Sequence, residues 1–197
     1  MMEYLSRLDV WMLLQLNAGA ANAFFDWLMP IATELSNWAP FIIGGLLALA
    51  IFGGGKGRTV ALLAIILITA TDQISSNLLK LLFERARPCH DVEGVRVIYR
   101  CGNTFSFPSS HAANSMAAAI FFGRLYRRWL WPLVAVSVVV SYSRIYLGVH
   151  YPFDTLAGWI IGGGLAGVAV RVYHLWAEPF LNRFRFFREK GVVAKPK

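Results

Sequence analysis

Residues 59–80 read TVALLAIILITATDQISSNLLK. The first charge is Asp72, deep in the run, and the next is the closing Lys80. A helix needs about 20 mostly apolar residues to cross a bilayer, and this stretch supplies them. Three more stretches, 110–126, 130–147 and 154–176, have the same character. A shorter run at 40–52 extends back to about residue 35, and a weaker one at 20–33 is interrupted by Asp26. Residues 4–16 place Leu5, Leu8, Trp11 and Met12 at helical spacing, the pattern of an amphipathic helix lying on the membrane surface. The expectation is an all-α integral membrane bundle of six crossings with an N-terminal amphipathic helix. It forms one domain over residues 1–197, with residues 1–18 as the surface helix and 177–197 as a basic tail.

Composition agrees. Of the 197 residues, 57% are hydrophobic and 15% charged, against about 25% charged in soluble domains. Mean hydropathy is +0.52. The aromatic content excludes a disordered chain, and two cysteines exclude a disulfide-dense miniprotein. The net charge of +8 is no nucleic-acid footprint, because the aromatics sit inside apolar runs rather than on a basic face. The N-terminus lacks the basic segment of a cleavable signal peptide.

Lys and Arg concentrate in cytoplasmic loops. Arg7, Lys56, Arg58, Arg124, Arg127, Arg128, Arg171 and the five basic residues after Arg183, with Arg183 itself, make thirteen of nineteen on one side. That side is expected to be cytoplasmic, with both termini inside. Lys80, Arg85, Arg87, Arg96, Arg100 and Arg144 fall on the exterior side, where the rule disfavours them. Cations held there, with His90, His111, His150 and Asp154, describe an anion site with acid–base chemistry.

Three motifs carry that site. In Lys80-x6-Arg87-Pro88, the two cations share a face if the helix continues to Arg87, and Pro88 then ends or turns it. Together they hold two oxygens of one phosphate. In Phe107-Pro108-Ser109-Ser110-His111, a serine caps a helix whose free N–H groups and dipole favour an anion. His111 in the first turn is disfavoured by that dipole unless a phosphate dianion lies beside it. In Ser143-Arg144-x5-His150-x3-Asp154, a carboxylate four residues from a histidine fixes its tautomer and leaves the other nitrogen as nucleophile. Singly, each has a plainer reading: snorkelling cations, an ordinary helix cap, a His–Asp cap pair.

In this order and on one membrane side, the motifs resemble the type 2 phosphatidic acid phosphatase superfamily, whose membrane members are lipid phosphatases. One departure is Ser110, where many relatives carry Gly. The resemblance implies that His150 attacks phosphorus, Asp154 orients it, and His111 protonates the leaving oxygen. Lys80, Arg87, Ser109, Ser110 and Arg144 would bind the phosphate. No cofactor and no metal is expected. Asp72, with Ser76 and Lys80 at i, i+4 and i+8, forms a polar stripe rising toward the site, and Asp72 is expected to support it from behind. Cys89 and Cys101 in the exterior loop are either a disulfide or two thiols. Gly158-x3-Gly162 and Gly163-x3-Gly167 indicate close helix contacts.

The expected function is hydrolysis of a lipid phosphate or diphosphate at the outer leaflet of the cell membrane. Polyprenyl (undecaprenyl) diphosphate stands first; phosphatidylglycerol phosphate, phosphatidic acid and lipid A phosphates remain open. A phosphotransferase using the same phosphohistidine is the second enzyme reading, and an anion transporter the non-enzymatic one. The expected partners are the lipid substrate and membrane lipid, not nucleic acid; oligomeric state is left open.

Overall fold

The computed structural model describes residues 2–98 and 100–189. In chain order its helices are α1 (Met2–Asn17), α2 (Ala23–Thr33), α3 (Leu35–Phe52), α4 (Gly54–Gln73), α5 (Lys80–Phe83), α6 (Pro88–Asp91), α7 (Ser110–Leu125), α8 (Leu130–Tyr146), α9 (Pro152–Val172) and α10 (Glu178–Glu189). A π-helical turn, Ile74–Leu79, joins α4 to α5, and another, Tyr173–Ala177, joins α9 to α10. No strand occurs among the described residues. Four stretches are long and apolar enough to cross a membrane: Leu35–Phe52, Gly54–Asp91, Arg127–Tyr146 and Pro152–Arg183. Of the expected basic tail 177–197, residues 190–197 lie outside the described residues.

The central helix is α7. Its Ala112, Ala113, Ala117 and Ala119 are buried, and small side chains let neighbouring backbones close in. On α9, a Cβ at Gly158 would lie 2.6 Å from the Ser109 carbonyl oxygen, and one at Gly162 only 2.1 Å from that of Ala113. The first expected glycine pair therefore is a close helix contact. The second is not: Gly163 and Gly167 face open space. Away from the site, Val60, Ala64, Leu67, Ala117, Phe121, Ala166 and Tyr173 form the main core. The outward surface is apolar, with Phe41, Ile51, Leu62, Ile65, Trp131 and Ile160 all exposed. A water-facing protein would not carry such a surface, whereas hydrocarbon accepts it.

Two expectations are not confirmed at the N-terminus. α2 has eleven residues, about 16 Å at 1.5 Å per residue, roughly half of a bilayer core. Both its ends rest on the last turn of α8. Tyr146 Oη accepts the Asn22 N–H at 3.1 Å, and Arg144 donates to Thr33 Oγ1 at 2.9 Å. The ends of the segment 20–33 thus both meet one end of the bundle, and this segment is not among the stretches long and apolar enough to cross. In α1 the inward face is Asp9, Leu13 and Asn17, all fully buried, while Trp11 is exposed. Asn17 donates to the Arg96 and Tyr146 carbonyl oxygens, and Asp9 accepts from Arg85 and from the Phe153 amide. α1 is therefore fastened at the Asp154 end. Arg7, two residues from Asp9, is at that end too, not with Lys56, whose ammonium sits 5.3 Å over the Tyr126 ring at the far end. Counting charges cannot detect a helix tied back by buried polar residues.

Cys89 and Cys101 form a disulfide, with Cα atoms 6.2 Å apart. Closing a loop of this length stabilises the fold by about 3 kcal/mol in the chain-entropy treatment. Reduction is expected to lower the thermal midpoint measurably in detergent, and alkylation after reduction, followed by mass spectrometry, verifies that both thiols were released.

Candidate active site

Two helix N-termini meet here. The Ser109 N–H donates to the Asp154 carbonyl oxygen at 3.0 Å, tying the start of α7 to the start of α9. Pro152 opens α9, where its missing N–H costs nothing and its φ suits a first helical turn. Asp154, at the third helical position, accepts the Tyr151 N–H at 2.9 Å with Oδ2. The same carboxylate accepts the Ser106 hydroxyl on Oδ2 and Arg85 Nη1 on Oδ1, the latter at 2.7 Å. His150 Nδ1 lies 3.5 Å from Asp154 Oδ2 and 3.5 Å from Ser106 Oγ.

The turn before α9 sets His150 in place. Gly148 has φ +75, and a Cβ there would lie 2.7 Å from the Arg96 carbonyl oxygen. Only glycine combines that backbone with that approach. His150 is buried. Burial pushes its imidazole down to about 3; Asp154 opposes the shift, and the Arg144 and Arg87 charges add to it. The ring is therefore neutral at neutral pH, with a lone pair for attack on an electrophile.

Lys80 and Arg87 do not share a helix face as expected. α5 stops at Phe83, Glu84 takes a left-handed conformation with φ 44, and Arg87 is extended. Pro88 disfavours helical backbone at the residue before it. The two cations still converge: Arg87 and Arg144 both act electrostatically on Lys80. Arg87 is buried and locked by three donations, to Thr104 O at 2.6 Å, Thr104 Oγ1 at 2.9 Å and Val149 O at 3.2 Å. These use three of the five guanidinium N–H groups and leave two for an anion.

Ser109 caps α7, its Oγ accepting the Ala112 N–H at 3.4 Å. That leaves its hydroxyl proton free to donate. His111, in the first turn, is exposed, and Arg144, His150, Lys80 and Arg87 all act on it electrostatically. All five groups thus meet at one end of the bundle. Ser110 is turned away from them, its Oγ 2.8 Å from Ser76 Oγ. Behind it, Asp72 accepts from Asn114 at 3.0 Å and Ser76 at 3.5 Å. Asp72 thus touches α7 directly at Asn114 and reaches Ser110 through Ser76. The π-helical turn, which begins at Ile74, brings Ser76 to face α7.

Sequence reading missed Asp9, Thr104 and Ser106. Arg85, inside the x6 gap of the first motif, stood among the exterior cations but without a role of its own. Asp9 had one visible signal, its i, i+4, i+8 spacing with Leu13 and Asn17. The one grouping of metal-ligand type among the described residues is Cys89, His90 and Cys101, whose ligand atoms lie within 4.8 Å of one another. The disulfide occupies both sulfurs, so this cluster is no metal site as it stands.

The profile of the PAP2 superfamily matches residues 61–178. The lipid A 4'-phosphatase of Bacteroides thetaiotaomicron is 39% identical over 83% of this chain and 76% of its own length. The undecaprenyl-diphosphatase BcrC of Bacillus subtilis is 31% identical over 71% of this chain and 70% of its own. The crystal structure of a transmembrane PAP2-type phosphatidylglycerolphosphate phosphatase from Bacillus subtilis shares the fold, with a TM-score of 0.71 over 87% of both chains at 23% identity. The matched residues contain all three motifs, and the homologous chains are hydrolases; this protein belongs to the PAP2 superfamily and is a hydrolase of that family.

Proposed function

We propose that this protein removes a phosphate group from a membrane lipid through a phosphohistidine intermediate. The observation that carries the reading is the convergence of Lys80, Arg87, His111 and Arg144 around a buried, neutral His150 backed by Asp154. His150 Nε2 forms a bond to phosphorus as the lipid C–O–P linkage breaks on its phosphorus side. His111 gives its proton to the departing oxygen. Water then attacks phosphorus, yields a proton to His111, and the P–N bond breaks. Lys80, Arg87, Arg144 and Ser109 stabilise the equatorial oxygens, where charge spreads in the transition state. Ser110 contributes from the backbone, and Asp72 holds Ser110 through Ser76.

The fold acts as one domain with five crossings: α3, α4 continuing into α5, α7, α8 and α9. The site end faces the exterior of the cell membrane. With Arg7 at that end, twelve basic residues remain on the cytoplasmic side, still the majority of nineteen. α1 lies in the outer interface with Tyr4, Leu5 and Trp11 toward lipid, and the C-terminus is cytoplasmic.

Among substrates, a phosphate monoester of a lipid A-type glycolipid now ranks ahead of polyprenyl diphosphate. The support is the greater identity and coverage of the lipid A 4'-phosphatase relative. The 31% identical undecaprenyl-diphosphatase keeps the polyprenyl substrate second. Purified protein in detergent should release phosphate from diphosphorylated lipid A with a kcat/KM at least about tenfold above that for undecaprenyl diphosphate, a gap of about 1.4 kcal/mol. The reverse ranking overturns the substrate assignment. Absence of release from every lipid phosphate overturns the function.

A further inference from the structure

Asp154 faces two demands. It must carry negative charge toward His150, yet Arg85 Nη1 binds its Oδ1 at 2.7 Å. A guanidinium paired with one carboxylate makes a neutral couple, and a neutral couple does little to stabilise a positive imidazole. The geometry resolves this with a second carboxylate. Asp9 Oδ2 takes the other terminal nitrogen of Arg85, also at 2.7 Å. Asp9 Oδ1 accepts the Phe153 N–H at 2.9 Å, in the first turn of α9. The Arg85 guanidinium lies 3.7 Å over the Tyr151 ring, which keeps it between the two acids. Asp9 and Asp154 are both fully buried, and buried carboxylates persist as charges only when paired and hydrogen-bonded. Two carboxylates and one guanidinium sum to a single negative charge, directed at His150.

We propose that Asp9 is a positioning residue of the phosphatase site: by sharing Arg85 it leaves Asp154 its negative charge, and α1 thereby belongs to the catalytic apparatus. This rests on the reading of His150 as nucleophile. α1 lies outside the residues matched by the family profile, 61–178. The sharing of Arg85 also gives α1 a reason to face inward with a carboxylate rather than with its apolar stripe. A helix held only by packing would not bury Asp9.

The test is kinetic, on the full-length protein in detergent. Asp9→Asn keeps the side-chain size and removes the charge, and should lower kcat roughly 10–100-fold with KM nearly unchanged. Inhibition by orthovanadate, a pentacoordinate phosphate mimic, should weaken in parallel with kcat. Asp9→Glu should restore much of the rate. Two controls separate charge from scaffolding. Leu13→Ala loosens the α1 contact with Ile145 and Tyr151 without touching charge, and should lower the thermal midpoint more than kcat. Arg7→Ala, in an exposed ion pair with Glu3, should change neither. A wild-type kcat in Asp9→Asn overturns the proposal. So does an equal loss of kcat in Leu13→Ala, which would mean that α1 is only a strut. His150→Ala, assayed alongside, isolates the underlying reading. If it retains turnover, the nucleophile assignment fails; if it is inactive while Asp9→Asn keeps the wild-type kcat, only the role of Asp9 fails.

Discussion

His150→Ala is expected to abolish phosphate release, a loss on the order of 10⁴–10⁶-fold, as when a covalent nucleophile is deleted elsewhere. No other group in the site can take over. Asp154 is tied to Arg85, Ser106 and the Tyr151 amide, so it does not reach substrate. His111 stands in the first turn of α7, placed for proton transfer. The variant should still fold and insert. The turn around residue 150 is held by Gly148, by the Arg87 bond to Val149 O and by the Tyr151–Asp154 cap, none of which needs the imidazole. Helix content and gel-filtration behaviour verify that point. Radiolabelled substrate should leave an acid-labile phosphoryl group on wild type and none on the variant. Near-normal release by the variant sinks the assignment. The pH dependence adds a second reading. The ordinary imidazole value is 6.5, and in the fold it is pushed down to about 3. The neutral nucleophile therefore persists as pH falls below the ordinary value. An acid-side loss of kcat/KM near pH 6 must arise from substrate or from another group, not from protonation of His150.

The chemistry was more legible than the topology. The three motifs are local strings, and the residues they name meet because each sits at an element end: Lys80 at the start of α5, His111 at the start of α7, Asp154 at the start of α9. Apolar length located α3, α7, α8 and the start of α9 to within two residues, because hydrocarbon thickness sets helix length directly. What failed depended on contacts distant in sequence. Arg85 reaches Asp9 across 76 positions and Asp154 across 69, and no periodicity encodes such pairs. The shared helix face of Lys80 and Arg87 required a helix continuing to Arg87, and none forms there. Pro88 already disfavoured helix at Arg87, and that restriction lets the chain reverse and bury the guanidinium under Thr104. The sixth crossing is not confirmed for a related reason. Asp26, the residue that weakened the run 20–33, accepts the Tyr146 hydroxyl at 2.6 Å and Arg96 at 2.9 Å, so it belongs to the loop end of the bundle.

His111→Ala should separate substrates by leaving group. With a lipid alkoxide, a poor leaving group, deletion of the acid is expected to cost ~10²–10⁴-fold in kcat. With a p-nitrophenyl phosphate, whose phenolate departs without a proton, the first step should be affected far less. The residual loss then reports the second step, in which His111 accepts a proton from attacking water. The position supports this division of labour. His111 is exposed while His150 is buried, so the departing oxygen lies on the His111 side if phosphorus faces His150. The cations Lys80, Arg87 and Arg144 surround it, and an arriving phosphate dianion places negative charge among them. That charge favours the protonated ring at the moment when a proton is needed. A plot of log kcat against leaving-group pKa should be shallow for wild type and steep for the variant. Parallel lines, with equal losses on both substrate classes, would mean that His111 only binds phosphate and that the proton comes from elsewhere.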